Sequence, residues 1–376
     1  MATCETFAVN VGSIERELRN LWRNEAESEQ GRSGSAVVCA HTLNLLVYPA
    51  GGGDPEFLTR VMNPIVTGHP SRAILIEPMQ SQGQSDFEAR VSASCIARHG
   101  TGMLGCELIM LRAKPCAYEK LRSVVMPLIV PDLPIFLWWR SPLSDDSSHA
   151  SRERELFDGL AKLSNRVIID SAHLADPAAQ LHRLAESIKI RRAHAAFSDL
   201  AWARLTPWRQ LLAQFFDGPS LSYADRVTDV IVQYAADNVM PPEPLLLAGW
   251  LASRLHWRPA ARPASGQRRE PGEQVLLRSG GEVDLRFQKD SSSGPDGVLA
   301  VTIIADGGAA NFSVRRTTDP SGLRTSIDLA GQRPVHRVVR AQDHSTAEMV
   351  SKELELLEHD VLYEESLNTA AKLVGE

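Results

Sequence analysis

Residues 127–140 constrain the fold more than any other stretch of this chain. Pro131 and Pro134 lack an amide hydrogen and hold their predecessors out of the α region, so no helix runs through them. Leu133 to Trp139 is then apolar on both faces, apart from Pro134 at its start. A short run of that kind is a strand covered on both sides, in the middle of a sheet flanked by helices. Trp138 and Trp139 close the run and point to opposite faces. Either both belong to the core, or one closes the core while its neighbour faces a cleft or a partner.

A chain of 376 residues exceeds one ordinary core, so two domains are expected, 1–195 and 196–376. Hydrophobic residues at 43% and charged residues at 23% are those of a globular protein. A formal net charge of −6 argues against nucleic acid or an anionic membrane as partner. No apolar run approaches the ~20 residues that span a bilayer. Met1 to Glu5 lacks the basic and apolar regions of a signal peptide, so a cytoplasmic protein is expected. Five cysteines without C-x-x-C spacing fit a reducing compartment and give no zinc signature.

Along the first half, the pattern predicts helices over 13–26, 57–66, 118–130, 151–163 and 177–192. Strands are predicted over 36–48, 71–77, 87–97, 104–112, 133–139 and 166–170. This alternation, with one long hairpin, indicates a mixed sheet with helices on both faces. Helices over 206–216 and 244–257 form a connector. Beyond a Pro- and Arg-rich linker at 258–272, short strands follow at 274–277, 282–288, 298–305, 310–317 and 325–329. Val283, Leu285 and Phe287 alternate with Asp284, Arg286 and Gln288, as in a sheet with one wet face. A closing helix over 346–362 would cover that sheet with Met349, Leu354, Leu357 and Val361. The fold class is α/β (α+β): an N-terminal mixed sheet flanked by helices, a helical connector, and a C-terminal antiparallel sheet packed with helices.

Three groups of residues invite a functional reading. Gly51, Gly52 and Gly53, followed by Asp54 as cap and Pro55, could cradle an anion at a helix start, with His69 and Arg72 nearby, which would make the chain a sensor or enzyme binding a sugar phosphate or nucleotide. The alternative is a flexible turn, since neither G-x-G-x-x-G nor a Walker lysine is present. In the hairpin, symmetry about the loop at 98–103 sets Cys95 opposite Cys106, near disulfide separation. Two reduced, half-buried thiols are the other outcome. Trp202, Arg204, Trp208 and Arg209 lie within eight positions. These residue types concentrate at the energetic centres of interfaces and also staple helices together. Nucleophile elbows, H-E-x-x-H helices and paired cysteine ligands are absent, and the histidines are scattered. The expectation is a binding protein that is not an enzyme and needs no metal and no cofactor.

Several segments in combination resemble the glucose-6-phosphate dehydrogenase assembly protein family, OpcA. They are Gly68-His69-Pro70-Ser71-Arg72-Ala73; Ala89 to Ala93 with Cys95 and Gly105-Cys106-Glu107; Pro131 to Trp139; Asp199 to Arg209; and Ala248 to Leu255. The resemblance implies a non-catalytic partner that promotes the active oligomer of glucose-6-phosphate dehydrogenase in the oxidative pentose phosphate pathway. It also implies redox control through thioredoxin, which would give Cys95 and Cys106 a role, with Cys4, Cys39 and Cys116 as further candidates. On this reading the exposed member of the Trp138/Trp139 pair, with Trp202, Arg204, Trp208 and Arg209, contributes to the contact surface.

Overall fold

The structure is a computed structural model. It describes residues 11–33, 37–38, 41–49, 55–79, 85–98, 102–141, 148–173, 176–260, 272–290, 296–319, 321–341 and 344–374. Two compact units are formed. The first comprises 1–173, 190–198 and 345–359; the second comprises 174–189, 199–344 and 360–376. Neither is a continuous stretch, unlike the single boundary after residue 195 that the sequence suggests.

In the first unit, α1 (Val11–Ser33), β1 (Val37–Val38) and β2 (Leu43–Tyr48) lead to a helical segment. That segment is α2 (Pro55–Phe57), a π turn and α3 (Asn63–Gly68). Then come β3 (Ser71–Pro78), the hairpin β4 (Phe87–Arg98) and β5 (Gly102–Ala113), α4 (Tyr118–Val125) and β6 (Ile135–Trp139). The sheet is completed through α5 (Ser148–Ala161), β7 (Arg166–Ile169) and β8 (Ala196–Asp199), while the intervening α6 (Pro177–Arg191) falls mostly in the second unit. The strand order is β1-β5-β3-β2-β6-β7-β8, with β4 antiparallel on β5. The ladders β2–β3, β2–β6, β3–β5 and β6–β7 are parallel.

Strand β2 is buried along its whole length. Its one polar member, Asn44, explains how the proline-bracketed turn is held. Asn44 Oδ1 accepts from Val130 N at 2.8 Å, while its Nδ2 donates to Val130 O at 3.0 Å. A buried amide satisfied on both sides costs little and fixes the turn's position. Asp132 at the turn's centre has φ of 63°, a left-handed conformation that a short polar side chain tolerates.

The second unit opens with α7 (Leu200–Arg204) and α8 (Thr206–Gln214), then β9 (Val227–Ala235) and α9 (Pro242–Arg254). Its sheet continues with β10 (Arg258–Pro259), β11 (Glu273–Arg278), β12 (Gly281–Lys289), β13 (Gly297–Ala305), β14 (Ala310–Arg316), β15 (Gly322–Leu329) and β16 (Val335–Arg340). The chain then forms α10 (Thr346–Glu353), which belongs to the first unit, and α11 (Val361–Val374), which belongs to the second.

The sheet order is β10-β11-β12-β9-β13-β14-β15-β16. Val230, Val232, Val301, Ile303, Phe312 and Val314 form a buried face. The alternate positions Asp229, Gln233, Thr302, Ser313 and Arg315 are polar and more exposed, giving the expected wet face. The sheet is mixed rather than antiparallel, because β9 runs parallel to β12 at its centre. The terminal helix is also broken. Asp360 Oδ1 accepts from Tyr363 N at 2.9 Å and caps a new helix, α11, which packs on α9. Leu357 and Val361, expected to cover the sheet, are exposed.

Candidate functional site

In the first unit, β2, β3, β5, β6, β7 and β8 are the six strands in chain order once the edge strand β1 and the inserted β4 are set aside. Their spatial order is third, second, first, fourth, fifth, sixth. That is the order of doubly wound sheets that bind dinucleotides, and ligands there sit beyond the carboxyl ends of the two strands where the order reverses. Here those strands are β2 and β6, ending in Tyr48 and Trp139, which are register partners.

Aromatic side chains close that end. Tyr48 stacks on Trp139 with ring centroids 4.1 Å apart and planes at 10°. Phe157 of α5 meets Trp139 edge-on at 5.2 Å. The Tyr48 hydroxyl donates to Glu153 Oε1 at 2.9 Å and lies 3.2 Å from the Tyr118 hydroxyl. Burial pushes the Tyr48 phenol well above its usual range and raises that of Tyr118 as well. Trp138 packs against Phe57 at 5.7 Å, and the Arg140 guanidinium covers both of those rings.

This arrangement realises the alternative with both tryptophans in the core, and corrects the one that places a member of the pair in a contact surface. Trp138 and Trp139 are each 1% exposed. Both faces of β6 are covered, so alternation along the strand sends each indole into core. Trp202 and Trp208 are each 3% exposed, so they too lie away from any partner's reach. Asp199 explains why: it caps α7 by accepting from Ala201 N at 3.0 Å, and it accepts from the Tyr363 hydroxyl at 3.2 Å. Trp202 Nε1 donates to Asp360 at 2.9 Å, and the Arg209 guanidinium lies 3.5 Å from the Trp202 ring centroid. Burial pulls Arg209 down to about 10. Arg204 stands 3.9 Å from Glu243 and remains partly exposed. The cluster is a staple between α7, α8 and the start of α11.

Arg72 is likewise committed. Its Nε donates to Glu107 at 2.5 Å, and its Nη1 donates to Glu15 at 2.7 Å and to Leu128 O at 2.9 Å. Trp22 Nε1 of α1 also donates to Glu107, at 2.6 Å, and His41 Nε2 lies 3.4 Å from it. Burial holds His41 below its usual value of 6.5, against the pull of Glu107. The expected anion site therefore fails at Arg72: two carboxylates already neutralise it and tie α1 to the sheet. His69 ends α3 and is half-buried. Gly51, Gly52 and Gly53 lie outside the described residues.

The hairpin register also differs from expectation. Cys106 faces Ser94, and Cys95 faces Gly105, one step from the opposed pair required for a bridge. The loop has one residue fewer than a symmetric turn about 98–103 supposes, because Arg98 pairs with Gly102. Cys106 is free and buried, and its Sγ donates to Val66 O at 3.0 Å. Burial pushes this thiol up, which disfavours the reactive thiolate. Cys116, in the turn after β5, is disulfide-bonded; Cys4 and Cys39 lie outside the described residues. Among the described residues no group of three metal-ligand side chains converges, and no helix is long and apolar enough to cross a membrane.

Family models for the N-terminal and C-terminal domains of a glucose-6-phosphate dehydrogenase subunit match residues 62–186 and 195–367. The chain belongs to this OpcA family. A Nostoc punctiforme relative, provisionally named OxPP cycle protein OpcA, is 28% identical over 385 residues, covering 96% of this chain and 75% of its own. A Synechocystis relative of the same name is 26% identical, over 82% of this chain and 64% of its own length. Among solved structures, a provisionally assigned oxidoreductase from Parabacteroides merdae matches with a TM-score of 0.50. It is 10% identical, over 90% of this chain and 98% of that one, so the likeness is one of fold alone. The OpcA staple, Asp199 to Arg209, was visible as a string in the sequence. The closed crevice was not, because Tyr48, Tyr118 and Phe157 are far apart in the chain and carry no motif.

Proposed function

We propose that this OpcA chain is a non-catalytic cytoplasmic assembly factor and allosteric activator of glucose-6-phosphate dehydrogenase, feeding the oxidative pentose phosphate pathway. The observation that carries the reading, beside family membership, is the stacked Tyr48–Trp139 pair at the carboxyl ends of β2 and β6. Where a doubly wound sheet would receive a dinucleotide, this one has aromatic core. Aromatic pairs of this geometry contribute about 0.5–1.5 kcal/mol beyond their buried area, so opening the site would be opposed by packing. A protein with that framework and a filled crevice is suited to touching a partner.

Activation follows from differential affinity. A partner that binds the active oligomer better than the inactive form shifts the balance by that difference and no more, typically about 1–3 kcal/mol or 5–150-fold. The indoles at Trp202 and Trp208 contribute indirectly, by holding α7 and α8, while Arg204 and Arg209 retain some outward surface. Redox control by thioredoxin then acts through the disulfide-bonded Cys116. The free Cys106 thiol is too deeply placed.

Dehydrogenase kinetics with and without the chain test the reading, with the chain oxidised and thioredoxin-reduced. A thermal-shift titration with NADP alone separates it from a nucleotide-binding rival. A rise in unfolding temperature with NADP, and no effect on the dehydrogenase, would favour the rival.

A further inference from the structure

The second unit's sheet has two unlike edges. Strand β10 is two residues long and ends in Pro259, so it offers little to pair with. Strand β16 runs six residues in unbroken register with β15, without proline or bulge. Five of its six residues are exposed, Val335 at 61% and Val338 at 60%.

The phase of its hydrogen bonding is fixed by Ala341 N, which donates to Ser321 O at 2.7 Å. Antiparallel pairs alternate between bonded and non-bonded. Counting back from this bonded pair, Val339, Arg337 and Val335 bond to β15, facing Leu323, Thr325 and Ile327. Arg340, Val338 and His336 sit in the non-bonded pairs. Their amides and carbonyls therefore turn to the open edge.

That edge is basic. Arg333, His336, Arg337 and Arg340 lie on or beside the strand, and no Asp or Glu occurs between Leu329 and Gln342. Arg337 forms no ion pair among the described residues, and His336 bonds to Ser326 Oγ at 2.8 Å. A second copy added edge to edge would bring two basic edges together, and like charges facing each other across strands are destabilising. Charge thus opposes self-pairing and favours an acidic strand. We propose that β16 receives an acidic extended segment of a partner protein as a ninth strand, with backbone bonds at His336, Val338 and Arg340. This rests on the reading above, so the segment belongs to the dehydrogenase. Strand addition takes affinity from the main chain and specificity from alternate side chains.

Val338→Pro is the direct test. It removes an outward donor and leaves the bonds to β15 intact, as proline is tolerated on an edge strand. Dissociation constants for the dehydrogenase would be measured for the wild-type chain, V338P and R337E/R340E at low and high salt. Circular dichroism would verify each fold, and sedimentation would report the oligomeric state of the chain alone. The expected result is at least about tenfold weaker binding by V338P, a loss of about 1.4 kcal/mol. The charge-reversed chain should also bind weakly and lose most of the wild type's salt dependence. If the wild-type chain and V338P bind equally, the edge proposal is overturned and the assembly role survives. If the wild type does not bind, both fall. A chain that dimerises alone, and becomes monomeric as V338P, would overturn the proposal in favour of a second copy.

Discussion

Gly249 of α9 shows how tightly single positions are set. A Cβ there would stand 2.3 Å from Ser366 O and 2.8 Å from Ala370 N, both backbone atoms of α11 that cannot swing aside. Overpacking of this kind costs about 1–3 kcal/mol. Gly249→Ala should therefore lower the unfolding free energy by that amount, and the midpoint with it, in a urea titration followed by circular dichroism. An unchanged midpoint would mean that α9 and α11 do not approach so closely. His41 gives a pH signature. Burial lowers its folded pKa below the 6.5 of the free side chain, so the unfolded chain binds more protons near and below that pH. Its contribution is fully present above about pH 6.5 and is lost as pH falls through the folded value. The thermal midpoint of the wild type should drop more steeply between pH 7 and 5 than that of His41→Gln; parallel profiles would contradict this.

At the scale of elements, the break between α10 and α11 hangs on Asp360. It caps α11 and accepts from buried Trp202. Asp360→Ala removes a cap and leaves an indole donor unsatisfied, for a loss of about 2 kcal/mol. The same urea titration checks it, and a wild-type midpoint would show that water replaces the carboxylate. Trp208→Ala should act on the fold first, costing about 3–5 kcal/mol as a core aromatic. The elements that were legible in the sequence are those with a strong pattern or punctuation: the proline-bracketed β6, the hairpin, and the alternating β12. Strand β9 was not legible, because Thr228, Asp229, Gln233 and Tyr234 interrupt its apolar residues on the wet face of a mixed sheet. Strand β16 was hidden for a related reason: at an edge, both faces are exposed and no hydrophobic alternation is required. The cysteine register was missed because one residue in a loop decides it. For the tryptophans the sequence leaves core and contact surface as alternatives, since a chain pattern does not reveal which faces other elements cover.

For the molecule as a whole, the strand order of an enzyme-type sheet coexists with a crevice closed by Tyr48, Trp139 and Phe157. On the proposed reading, function in such a chain comes from its surfaces and from what they recognise. The dehydrogenase assay addresses this most directly: initial rates of glucose-6-phosphate oxidation at fixed dehydrogenase, with rising amounts of this chain, beside the chain alone with substrate and NADP. The account predicts no turnover by the chain alone and a saturable rise in the dehydrogenase's rate, within the 5–150-fold range that a coupling of about 1–3 kcal/mol allows. Turnover by the chain alone, or rates that stay flat at every ratio, would contradict it.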